Sequence, residues 1–141
     1  MNESAKLELI MQSLERASER LGDITHLVFK KYYEKFPDAR RDFNELSNGN
    51  VDALEGEMVE RVIYTIMTWF ESPGEIEIQV SGSAAHHKDT LNINEVSYIG
   101  LIVCVIDAIK STIPHDKILE FDALASLEFD ICNIVNSQFI N

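Results

Sequence analysis

Apolar residues return at steps of three and four along almost the whole of this chain, and that period leaves helices as the element most of it can form. Leu7, Ile10, Leu14, Ala17 and Leu21 mark a first helix from about Ser4 to Leu21. Gly22 offers a C-cap and Asp23 an N-cap, so a second helix starts at once. It carries Ile24, Leu27, Val28, Tyr32 and Tyr33 and ends at Phe36, because the residue before Pro37 is pushed out of the helical region. Pro37 opens a short third helix from Asp38 to about Phe43, and Asn44 to Asn50 is turn chemistry. Asp52 then caps a long helix to Phe70, stopped by Ser72-Pro73-Gly74.

The next stretch reads two ways. Glu75-Ile76-Glu77-Ile78-Gln79-Val80 alternates polar and apolar, as a strand does. A helix serves equally, with Ile76, Val80, Ser83 or Ala84, and His87 on one face. A lone strand among helices has nothing to pair with, so the helix is the expectation, loosened by Gly82. Asn92 with Glu95 resembles a capping box before a nearly wholly apolar helix through Tyr98, Ile99, Ile102, Val105, Ile106, Ile109 and Ile113, broken at Pro114. Asp116 starts the last helix, whose expected buried face is Ile118, Phe121, Ala125, Phe129, Cys132, Val135 and Phe139. The expectation is one all-α domain over residues 1–141, of about seven helices.

At 141 residues the chain can bury a real core. Twelve basic residues stand against 24 acidic ones, a net charge of −12 that repels phosphate backbones, so nucleic acid is not an expected partner. No run approaches the ~18 apolar residues of a membrane span, so no membrane partner is expected. The two cysteines, Cys104 and Cys132, are too few for a disulfide framework. Met1-Asn2-Glu3-Ser4 leads into an amphipathic segment and not an apolar signal core, and the chain reads as cytoplasmic with free thiols.

Phe29, Pro37 eight residues on and Phe43 six further form a ladder, and Phe36-Pro37-Asp38-Ala39-Arg40-Arg41-Asp42-Phe43 is similar to a run common in bacterial globins. Helices of this order and length resemble the globin family, in particular bacterial single-domain haemoglobins and the haem domain of flavohaemoglobins. Over essentially the whole chain, the resemblance implies a globin-like fold holding haem b. It implies Phe43 flat against the porphyrin, Phe29 and Val59 on the gas side, Glu55 at the usual place of a distal histidine or glutamine, and Tyr98 opening the helix after the proximal one.

His87 is the implied axial ligand, because neutral imidazole offers iron a lone pair. Helical phase puts it with Ile76, Val80 and Ala84, while His86, about 100° away, points elsewhere and is the fallback ligand. Asp89, Thr90 or a backbone carbonyl on the same helix would take the other ring N–H. Glu55 departs from the family, since an ionised carboxylate accepts and does not donate to bound O₂. It swings to solvent, or burial keeps it a neutral donor; a slip of one residue puts Leu54 at the distal position with Met58 inward. The swing to solvent costs least and is the expectation.

His26 and His115 have no ligand spacing, and no zinc motif, nucleotide loop or nucleophile elbow is present. The implied function is reversible binding of a diatomic gas (O₂, CO or NO) as carrier, scavenger or sensor, with a homo-oligomer left open. The alternative is a haem-free globin-fold module for sensing or protein interaction. An enzyme using haem for NO dioxygenation or peroxide chemistry is not the expectation, because no reductase domain and no distal acid–base group stand in these residues.

Overall fold

The computed structural model describes residues 2–140, and every regular element in it is a helix. These are α1 (Glu3–Leu21), α2 (Thr25–Lys35), α3 (Ala39–Leu46), α4 (Val51–Thr68), α5 (Pro73–Asp89), α6 (Glu95–Lys110) and α7 (Ile118–Ile140). Among the described residues, no helix is long and apolar enough to cross a membrane.

The helix ends follow from local chemistry. Asn2 caps α1 by accepting the Ala5 N–H at 2.8 Å. Gly22, at φ 63°, turns the chain where a side chain would be strained, and its N–H bonds the Ser18 carbonyl at 3.0 Å. Asp23 then accepts from both the amide (2.9 Å) and the hydroxyl (2.6 Å) of Thr25 as α2 begins. Pro73 occupies the first turn of α5, where its missing N–H costs nothing. The expected capping box at Asn92 is displaced: Asn94 caps α6 through the Ser97 amide at 2.8 Å. Asn92 instead takes a left-handed turn at φ 57°, a conformation asparagine tolerates.

The core is centred on α6, which packs against α1, α2, α4, α5 and α7. Its apolar circumference explains this: Ile102, Cys104, Val105, Ile106, Ala108 and Ile109 are all buried, facing several neighbours at once. Each such isoleucine contributes roughly 2–3 kcal/mol relative to exposure. The stretch that alternates like a strand is helical, with Ile76, Val80 and Ala84 buried and Ile78 74% exposed.

The phase of α7 differs from expectation. Ile118, Ala125 and Phe129 are exposed, while Glu120, Ala123, Leu124, Leu127, Ile131 and Val135 are buried. This helix is apolar around most of its circumference, so its pattern supports two faces. Packing on α1, α5 and α6 selects the second. That face carries a charge, which sequence patterning disfavours. Glu120 is nonetheless accommodated, bound by Arg16 at 2.6 and 2.9 Å and by the Ser13 hydroxyl at 2.6 Å.

Candidate functional site

Between α4, α5 and α6 lies an open-sided cavity of about 900 Å³, flanked by α3 and the corner after α5. Its walls are mainly apolar: Phe43 and Leu46 from α3, Leu54, Met58 and Val62 from α4, Val80 from α5, Leu91 and Ile93 from the corner, Leu101 and Ile102 from α6, and Ile131 from α7. Polar residues are as numerous but supply less of the surface: Ser83, His86 and His87 of α5, Tyr98 of α6 and Tyr32 of α2 stand with Asp42 of α3 and, at the exposed side, Glu57, Glu60, Arg61 and Tyr64 of α4.

His87 is half-buried at this wall, and His86 is exposed. The His87 Nδ1 lies 2.8 Å from the Ser83 carbonyl oxygen. A carbonyl only accepts, so Nδ1 carries the proton and Nε2 keeps its lone pair. Of the expected partners for this ring nitrogen, the backbone carbonyl is the one found, and Asp89 is exposed. Burial pushes the imidazole's pKa below its ordinary value of 6.5, against the bond to Ser83; His86 and Arg61 push it down further. The site therefore favours the neutral ring.

Tyr98 fixes the ring from the side. Its ring centroid is 4.9 Å from that of His87 in an edge-to-face arrangement, and its hydroxyl donates to the Ser83 Oγ at 2.8 Å. The backbone carbonyl of His87 accepts the Ile93 N–H at 2.8 Å, so the corner into α6 is tied to the histidine itself. Ser83 thus serves both His87 and Tyr98. Its place four residues before His87 is the sequence signal for the first of these bonds, and nothing in the sequence marks the second.

The residues expected on the other side of the cavity divide. Phe43 lines the wall, half-buried. Phe29 stands behind it, 5.1 Å from it between ring centroids, in an aromatic cluster with Tyr32 and Tyr33. Val59 is buried toward a second cavity of about 570 Å³ bounded by Leu14, Ile24, Ile63 and Ile109, and not toward His87.

Glu55 does not swing to solvent. It is 6% exposed and accepts the Tyr33 hydroxyl at 2.6 Å. That bond offsets the cost of burying the carboxylate, which an apolar wall could not do. Burial, with Glu55 beside it, pushes the Tyr33 hydroxyl well above its ordinary pKa, so it remains the donor. With Glu55 turned toward α2, Leu54 and Met58 face the cavity, the arrangement of the one-residue slip.

His26 and His115 are exposed. Cys104 and Cys132 are free, and burial pushes both thiols up, which keeps them protonated and poorly nucleophilic. Among the described residues, no group of three or more His, Cys, Asp or Glu side chains is placed to hold a bare metal ion. The volume lies in the range of small-molecule and cofactor sites.

The chain matches no protein-family model, no curated protein and no solved structure.

Proposed function

We propose that the chain binds haem b through His87 in a globin-like fold and reversibly binds a diatomic gas. The observation that carries this reading is the pairing of His87 with the Ser83 carbonyl at the wall of the cavity. Bound haem, held by His87, would supply the iron at which the gas binds.

The chain's own residues do the rest. Ser83 sets the tautomer and the plane of the imidazole, and Tyr98 limits its rotation. Phe43, Leu54, Val62 and Leu101 offer apolar surface to a flat macrocycle. The Tyr32 hydroxyl, which could hold a polarised ligand, is committed to the Ser97 carbonyl at 2.9 Å. Arg61 sits at the exposed side, paired with Glu57 at 2.8 Å. Bound O₂ therefore lacks a buried donor and leaves quickly, while neutral CO and NO suit the pocket better.

The ion pair at the cavity, Arg61–Glu57, lies at its exposed side, and the reading is a carrier, scavenger or sensor and not an oxygenase or peroxidase. Haemin added to the purified protein develops a sharp Soret band at one equivalent if the proposal is right. A protein that stays colourless with excess haemin would sink it and leave a haem-free helical module.

A further inference from the structure

We infer that Met58 is the second axial ligand of the iron, so that the resting site is a His87–Met58 pair which the gas must open. The inference rests on the haem reading above.

On α4, Glu55, Val59 and Ile66 are buried, with Glu55 bound to Tyr33. At about 100° per residue, the side chains of Leu54, Met58, Arg61, Val62 and Thr65 then fan over one arc, with Met58 and Thr65 near its middle. All five line the cavity, and Glu57, Glu60 and Tyr64 reach it from the exposed side of the helix.

The arc opens onto the same cavity that His87 lines from α5. Leu54 and Val62 have no lone pair to offer. The Arg61 guanidinium is held by Glu57, and the Thr65 hydroxyl donates to the Arg61 carbonyl at 3.0 Å.

Met58 carries a soft thioether sulfur on a flexible side chain, half-buried and without another polar task. Thioether ligation opposite histidine favours the reduced metal and raises its potential. A neutral sulfur also adds no charge to an apolar wall, unlike the Glu55 carboxylate that α4 turns away.

The test compares haem-loaded wild type with Met58→Leu, a swap that nearly conserves volume. Wild type should show a six-coordinate low-spin spectrum in the reduced state, and the far-red charge-transfer band of thioether ligation when oxidised. Met58→Leu should become five-coordinate high-spin with a lower midpoint potential. CO binding should tighten about tenfold in the variant if the thioether occupies the iron in about nine molecules of ten. A wild type that is five-coordinate overturns the inference but leaves haem binding standing. So does a low-spin spectrum unchanged in Met58→Leu, which would point to another ligand. Failure of wild type to take up haem overturns both readings. The wild-type band needs no variant, so poor folding of Met58→Leu does not protect the inference.

Discussion

The Nδ1 of His87 and the carbonyl oxygen of Ser83 lie 2.8 Å apart, one helical turn from each other on α5, and this bond decides which imidazole nitrogen is left for chemistry. The Tyr98 hydroxyl takes the side chain of the same serine, so one residue orients the histidine by its backbone and anchors the neighbouring ring by its hydroxyl. Ser83→Ala keeps the carbonyl and loses the Oγ contact. It should therefore bind haemin as wild type does while losing about 1 kcal/mol of stability. Tyr98→Phe should lose a similar amount, and the double variant should lose less than the sum of the two. Urea unfolding of the four proteins measures this; additive losses would mean that the hydroxyls do not interact.

Stability of the haem-free protein should depend on His87 in mildly acid solution. Burial makes the folded imidazole harder to protonate than the unfolded one, whose ordinary pKa is 6.5. The unfolded state then takes the proton first, so this contribution is complete above about pH 6.5 and is lost as pH falls from there toward the lower folded pKa. His87→Gln should flatten that part of the profile. Urea midpoints measured from about pH 7.5 down to about pH 5.5 read the difference, and equal slopes in both proteins would contradict it.

The Glu120 carboxyl is held below its ordinary value of 4.5, first by the Arg16 guanidinium and also by the Ser13 hydroxyl, although burial alone would raise it. Its contribution to stability is present above about pH 4.5 and disappears as pH falls through the lower folded pKa. Arg16→Met leaves a buried carboxylate with one partner and should cost about 2–4 kcal/mol at neutral pH, less at acid pH, by thermal or urea unfolding. A loss under about 0.5 kcal/mol would show that water replaces the guanidinium.

Removing the Tyr33 hydroxyl should be worse than removing both partners. Tyr33→Phe strands the Glu55 carboxylate and should cost about 1–3 kcal/mol, while adding Glu55→Leu recovers part of it. If the double variant is the less stable one, the pair contributes more than the burial of its carboxylate costs.

Much of the fold is legible in the sequence because most helices have one strong stripe. Ile10 and Ala17 are buried on α1 and Ile76, Val80 and Ala84 on α5, as the period implies. The exposure of Ile78 shows how α5 satisfies an alternating stretch without a strand. Where a helix is apolar nearly all round, the period stops discriminating, and Phe129 and Ile118 lie outside on α7 for that reason.

The site is legible on one side. Helical phase accounts for the half-burial of His87 and the exposure of His86, although both line the cavity. On the α4 side the decisive fact is the long-range Tyr33–Glu55 bond, joining residues 22 apart in sequence. It turns Val59 away and brings Leu54 and Met58 in, and no local pattern announces it. A charged residue on a helix flank reads as solvated until its partner is known, and Glu120 hides its place in the core the same way.

The measurement that bears most directly on the account is haemin titration of the wild type, His87→Ala and His86→Ala, followed at the Soret band. Wild type and His86→Ala should each bind one equivalent of haem tightly, and His87→Ala should lose the sharp band. A colourless wild type, or a His87→Ala protein that binds as tightly as wild type while His86→Ala does not, would contradict it.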